Sequence, residues 1–497
     1  MTRQEINSNN PSGNPSNRGN SAVQRCAVKA PLASDPTAWR SGRRGQTSHI
    51  KIAAAVACGG LVLMACGSSK SSSTASPATS GSSTSAKSAS TGPVTITFAN
   101  WASDESNTVA GIKAAIALYE KENPGVTIVS QPVSYSNIGS QLLLEVRSGD
   151  APDIAEVQGD YTAALAYDNA LQPLTQYAGQ SFISSLVPQS VTEGTYNGQF
   201  LATPWVIAPF GLWYNKNLLS AAGISSPPNT ITEFEADLAK IRAKYPASTG
   251  VIPFGFDTTN RSFGLDINWS FMKDFGATPM SESTNTLDVQ TPQFTDYLQF
   301  MRLLGQDNYD VPNQLQGHFR SIAAVNKVAF AVDGPYFQSA VQATNHMTDA
   351  QFYAAFGVTT IPAGSNGVHY TVPTDHQLVM FKTAKNKTAA WKFMQWLTTS
   401  PQAVKDYSVT YEDALPPLTT TNPAWASLVN NPNFLAFKNQ IEPTVIRPAW
   451  GPKYDIAFPP IMTGVESAVT TSTPLAQIES TMVSEYKTAL QSAGLAG

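Results

Sequence analysis

Cysteine is nearly absent. Three occur in 497 residues, Cys26, Cys58 and Cys66, and none follows position 66. Everything beyond Cys66 therefore lacks an internal disulfide and any thiolate metal site. Histidine is scarce as well. His49, His318, His346, His369 and His376 are too scattered to argue for a zinc site. Long hydrophobic runs are missing: the apolar stretch Ile52–Ala65 has 14 residues, where a spanning helix needs about 20. Motifs of enzymes are missing too. There is no Gly-x-Ser-x-Gly, no His-Glu-x-x-His and no phosphate loop. Asp104, Asp160 and Asp333 are candidate carboxylates for glycoside hydrolysis, but no local motif pairs them. No enzyme is expected, and no cofactor.

Charge is sparse, at 13% of residues, and unevenly placed. Residues 1–65 carry eight basic and two acidic residues, so +6, which leaves −10 for the remainder of a chain of net charge −4. A basic leader before an acidic body is a targeting pattern. An acidic body makes nucleic acid an unsuitable partner.

The leader reads as a secretory signal: basic residues, the short apolar run, then small residues. Leu63-Met64-Ala65-Cys66, followed by Gly67 and Ser68, resembles a bacterial lipoprotein box. That resemblance implies cleavage before Cys66 and lipidation of its thiol. Gly67 to Pro93 is dominated by Ser, Thr, Ala and Gly. Such a segment buries too little apolar surface to offset its ordering entropy and is expected to be a disordered tether.

Beyond the tether, "VTITF" (Val94 to Phe98) alternates as a strand. A helix follows, with Val109, Ile112, Ile116 and Tyr119 at spacings of three and four, ended by Asn123-Pro124-Gly125. "VTIVSQPV" predicts a second strand, Ile138 to Arg147 a second helix, and "APDIAEVQGD" a third strand. This order predicts a parallel sheet flanked by helices. Loops after its strands line a ligand crevice, so Trp101–Glu105, Tyr135–Asn137 and Gln158–Tyr161 should meet on one edge. A second α/β region includes "FGLWYNKNLLSAAGI", a helix around Phe234, Leu238 and Ile241 that Thr232 is expected to cap, and the strands "FGVTTIP" and "HQLVMF". A helix containing Trp391 and Trp396 breaks at Ser400-Pro401, and a last helix runs near Leu475 to Ser492.

These segments resemble, in order, an extracellular solute-binding protein of family 1, the maltose-binding-protein-like receptors of ABC sugar importers. "VTITFANWAS", "GDAPDIAEVQGD", "TPWVIAPFGLWYNKNLLSAAGI", "VNKVAFAVDGPYFQSA" and "TAAWKFMQWLTTSPQA" carry the resemblance across most of 94–497. It implies an α/β, two-lobed periplasmic-binding-protein fold (class II-like), with hinge-crossing strands and an interlobe ligand cleft. It implies lobe one at 94–208 plus 374–412 and lobe two at 209–373 plus 413–497. The tether is then 66–93 and the leader 1–65.

Sugars present apolar C–H faces and a rim of hydroxyls, which aromatic rings and carboxylates or amides recognise. By resemblance and loop position the ligand-binding candidates are Trp101, Asp104, Glu105, Tyr135, Gln158, Asp160, Tyr161, Trp205, Trp269, Asp333, Tyr336, Asp375, His376 and Trp450. Two depart from the maltose-binding pattern, since Gln158 and Tyr336 stand where that pattern has Trp. Trp213, Trp391 and Trp396 are expected in the core. The resemblance implies a monomer on the outer face of the cytoplasmic membrane, anchored by lipid alone and partnered by permease subunits. Aromatic loops mixed with neutral amides point to a sugar. An acidic cleft would suit a polyamine and a tyrosine cluster iron; a polyol phosphate is the remaining alternative.

Overall fold

The computed structural model describes residues 92–280, 286–418, 431–441 and 453–494. All belong to one compact unit, 87–497. Cys66, Trp425 and Trp450 lie outside the described residues.

The first sheet forms from the chain's opening as its periodicity predicts. β1 (Val94–Asn100), α1 (Val109–Glu122), β2 (Val126–Pro132), α2 (Ile138–Ser148), β3 (Ile154–Gln158), α3 (Gly159–Tyr167) and β4 (Ala202–Val206) follow in order. β1 pairs in parallel with β2 from Val94↔Val126 to Asn100↔Pro132, and with β3 at Phe98↔Ile154. The sheet is not wholly parallel. A strand from far along the chain enters antiparallel between β3 and β4, placing His376 opposite Gln158 and Val206. It runs backwards because it re-enters this lobe from the hinge side.

The second sheet contains β5 (Gly211–Asn215), β6 (Ile252–Gly255), β7 (Val328–Asp333) and β8 (Phe356–Thr359), in the order β8-β5-β7-β6. Around it lie α4 (Ile231–Lys244), α5 (Ser262–Asp274), α6 (Pro292–Gln306), α7 (Gln316–Ala324) and α8 (Phe337–Asn345). The returning strand is β9 (His376–Met380), followed by α9 (Lys387–Thr399); α10 (Tyr454–Thr470) and α11 (Leu475–Ser492) then pack on α6 of the second lobe. Thr230, not Thr232, caps α4. Its hydroxyl accepts from Glu233 N, and Glu233 returns a bond to the Thr230 backbone. Both threonines stand three residues before a Glu, as the reciprocal box needs, but the helix already begins at Ile231, so Thr230 is the residue at its cap. Ser400 does cap the short helix after α9, accepting from Ala403 N.

Each sheet is sandwiched between apolar clusters. In the first lobe Phe98, Trp205, Phe393 and Tyr407 pack on one side, and Val157, Leu165 and Phe381 on the other. The second lobe is phenylalanine-rich, with Phe234, Phe254, Phe271, Phe300 and Phe330 in mutual ring contact.

Three strands cross between the lobes. Val206 to Gly211 leads out, and residues 371–376 lead back antiparallel to it. Phe210 N donates to Val372 O at 3.2 Å and Thr374 N to Ala208 O at 2.9 Å. The third crossing exchanges two 3.0 Å bonds between Ile207 and Leu415. The ends of β1, β3 and β4, with the start of β9, therefore face the edge of the second sheet that carries Gly211 and Asp333.

Candidate functional site

The three loops of the first lobe meet. Trp101, buried just past β1, sets its ring edge-on to Tyr135 (centroids 5.3 Å) and to His376 (4.8 Å). Its backbone N and that of Ala102 donate to Glu156 Oε2 at 3.1 and 3.2 Å. Glu156 is fully buried in the middle of β3. Its other oxygen lies 2.8 Å from His376 Nδ1, off the ring's N–H direction but close enough for charge pairing. Burial opposes the protonation of His376. The Glu156 carboxylate overcomes it, helped by Glu412 and Glu105, and the imidazole is raised to about 9.

Gln158 and Asp160 are buried at the β3–α3 junction, with the Gln158 amide close to Tyr135. Tyr161 lies against Gly139 of α2, where an added Cβ would sit 2.2 Å from its ring carbons, so only glycine fits there. Tyr161 comes near Asp455, at the start of α10, across the lobes. Asp455 is pushed up to about 6 by burial and by the Asp160 charge. Tyr135 also reaches across, to Phe263 at the start of α5 (6.1 Å). Beside them Tyr454 donates to Asp266 at 3.0 Å.

From the second lobe, Asp333 ends β7 fully buried and holds Arg320 of α7 at 2.8 and 2.9 Å, a two-pronged pair. Gln316, one turn before Arg320, reaches the same carboxylate at 3.3 Å. The guanidinium carbon stands 4.8 Å from the Tyr336 ring centre. The Tyr336 hydroxyl meets Thr374 Oγ1 of the return crossing at 3.2 Å. Gly334 admits that ring, since a Cβ there would lie 2.5 Å from it.

Of the residues singled out in sequence, Trp101, Glu105, Tyr135, Gln158, Asp160, Tyr161, Asp333, Tyr336 and His376 come together around the facing edges. Asp104 is exposed in the same turn, its N–H on Trp101 O. Three others are placed elsewhere. Trp205 is core, stacked on Tyr407 at 4.2 Å and packed on Phe98. Trp269 is buried in α5 within the second lobe's core, with Lys273 over its ring. Asp375 ties the hinge, accepting from Ala208 N (2.9 Å) and Ser190 Oγ (3.1 Å). For the two tryptophans the buried side of a strand or helix won over the neighbouring loop.

Sequence reasoning missed Glu156, Phe263, Asp266, Gln316, Arg320, Tyr407, Glu412, Tyr454 and Asp455. Glu156 carried a signal: it is the lone charge in the strand Ile-Ala-Glu-Val-Gln, whose five residues are all buried, and a buried charge must be paired. The others are brought in by tertiary packing, from distant helices and, for Glu412, from the third crossing, and have no local signature.

Two α/β lobes joined by three crossing strands, with polar and aromatic side chains on their facing edges, define a hinged binding protein. The chain belongs to the bacterial extracellular solute-binding proteins, whose family model matches residues 102–404. It is accordingly a binding protein and not an enzyme. The maltotriose-binding protein of Pyrococcus abyssi is 23% identical over 323 residues, covering 62% of this chain and 64% of its own. Among solved structures, the GacH receptor of Streptomyces glaucescens, determined unliganded and with acarbose, superposes with a TM-score of 0.68 at 21% identity, over 80% of this chain and 98% of that one. An ABC transporter solute-binding protein of Thermotoga lettingae bound to tagatose gives 0.67 at 18% identity, over 80% and 100%. These structures share the two-lobed α/β fold. No described helix is long and apolar enough to cross a membrane.

Proposed function

We propose that this chain captures a sugar or oligosaccharide between its lobes and delivers it to the permease of an ABC importer. One observation carries the reading. Aromatic rings from both lobes (Trp101, Tyr135 and Tyr161; Phe263, Tyr336 and Tyr454) stand beside buried carboxylates and amides at the facing edges. Rings cover the C–H faces of a sugar and the polar groups bond its rim. The ligands named for the maltotriose-binding relative and for the two solved structures support it.

The ligand contacts are Trp101, Asp104, Glu105, Tyr135, Gln158, Asp160, Tyr161, Asp333, Tyr336 and His376, with Trp450 as a further candidate. Lobe one comprises 94–208 plus 374–412, and lobe two 209–373 plus 413–497. Ligand contacts to both lobes favour the closed form, which docks on the permease. The receptor is a monomer, held at the outer face of the cytoplasmic membrane by lipid on Cys66 and the tether 66–93. Cys66→Ala should release it from the membrane fraction, and retention would refute the anchor.

A thermal-shift panel tests the ligand. Mono- and oligosaccharides are screened beside spermidine, a polyol phosphate and an iron chelate. A ligand that binds only the folded chain raises the midpoint by mass action. A rise with a sugar supports the reading, and a rise with a control alone replaces it.

A further inference from the structure

Resting on the sugar-receptor reading, we propose that Gln316 and Arg320 together read one free hydroxyl of the sugar, which donates to Gln316 Oε1 and accepts from the Arg320 guanidinium. One carboxylate sets up both side chains. Asp333 Oδ2 accepts from Arg320 Nε at 2.8 Å and from Gln316 Nε2 at 3.3 Å. Its Oδ1 accepts from Arg320 Nη2 and from Gly334 N, each at 2.9 Å. Gln316 and Arg320 stand four residues apart in α7, on one face of the helix. The Gln316 backbone is tied as well, its N donating to Oδ2 of buried Asp257 at 3.0 Å. The pair is thus fixed before a solute arrives, and little ordering cost is left for binding.

What the two side chains leave unused is complementary. Gln316 is 2% exposed, and its amide nitrogen is committed to Asp333. A carboxylate paired with arginine accepts and cannot donate. The amide orientation is therefore fixed, and Oε1 is the end without a partner among the described residues. It requires a donor, because a buried acceptor left unmet costs free energy. Arg320 has the opposite surplus. Its side chain is 25% exposed, and two of its five N–H groups are spent on Asp333. The other three have no partner among the described residues. The guanidinium lies over the Tyr336 ring, whose hydroxyl meets Thr374 of the return crossing at 3.2 Å. The pair therefore sits where the second lobe joins the crossing strands.

An acceptor beside donors selects a group that is both. A hydroxyl carries one donor and two acceptor lone pairs on a single oxygen. A carboxylate or phosphate would accept from Arg320 but set its own oxygens against Gln316 Oε1. The Asp333 charge already offsets the guanidinium, so an anion gains less there. An ammonium would donate to Gln316 but meet the guanidinium as a like charge. An ether oxygen or a capped hydroxyl lacks the donor.

Calorimetric titration of the purified full-length chain tests this. The probes are glucose, maltotriose and raffinose, each beside analogues with one hydroxyl replaced by fluorine, which cannot donate, and spermidine is the control. In wild type, fluorination at one position of a sugar that binds should weaken binding by about tenfold or more. In Gln316→Leu the parent sugar should weaken by about the same factor, and fluorination at that position should then cost less than about threefold. Arg320→Lys should weaken the parent sugar by about tenfold or more, since an ammonium cannot keep both the two-pronged pair and the hydroxyl. A wild type indifferent to fluorination at every position overturns the hydroxyl assignment and leaves the sugar receptor standing. So does a folded Gln316→Leu protein in which every fluorination penalty persists, or a folded Arg320→Lys protein of unchanged affinity. Binding of spermidine with no sugar bound overturns both. The wild-type scan needs no variant to fold, so a misfolded variant does not rescue the idea.

Discussion

Replacing Glu156 with glutamine keeps the side chain's shape and removes its charge. In the wild type the carboxylate lies 2.8 Å from His376 and accepts from Trp101 N and Ala102 N. His376 is raised from 6.5 to about 9 against the opposing effect of its burial. A raised histidine stabilises the fold fully below its unfolded value, near 6.5, and that contribution is lost as pH rises through about 9. The shift corresponds to about 3 kcal/mol. In Glu156→Gln the main raising partner is gone and burial takes over, so His376 should titrate at or below its ordinary value. Urea unfolding should therefore show wild type exceeding the variant by about 3 kcal/mol near pH 6, with the gap shrinking from about pH 6.5 upward and mostly gone by about pH 9. Proton NMR of the His376 ring should report its titration directly. A gap of equal size at both pH values, or a wild-type His376 that titrates near 6.5, would refute the pairing as the source of stability.

Two other substitutions separate core from cleft. Asp274 ends α5 buried, and burial raises its carboxyl to about 9 against one bond from Tyr370 N. The folded chain thus holds this proton at neutral pH, and stability falls as pH rises from about 4 to 9. Asp274→Asn should stabilise by about 2 to 4 kcal/mol at pH 7 and by almost nothing at pH 4, read by urea unfolding at both. Trp205→Ala should cost about 3 to 5 kcal/mol of stability, yet the folded protein should bind its ligand within threefold of wild type. A selective loss of affinity would move Trp205 to the cleft.

The first sheet was legible because its signals are local. Alternating Val94–Phe98, the three-and-four spacing of α1 and the Ser-Gly stop after α2 each lie within one element. The antiparallel entry of β9 was not legible as such, because direction in a sheet depends on a crossover some 170 residues after β4. Likewise, the cleft residues on loops after β1 and β3 could be found from strand ends. Trp205 and Trp269 were misplaced because a tryptophan near a loop looks the same in sequence whether it turns inward or out. Arg320 and Glu412 become site residues only when α7 and the third crossing are folded against the first lobe.

One solute should be held by both lobes at once. Calorimetric titration of the sugar found by thermal shift, against Gln158→Ala in the first lobe and Phe263→Ala in the second, tests it most directly. Each substitution alone should weaken binding by about tenfold or more, with the fold intact by circular dichroism. Undiminished affinity in either variant would contradict capture between the lobes.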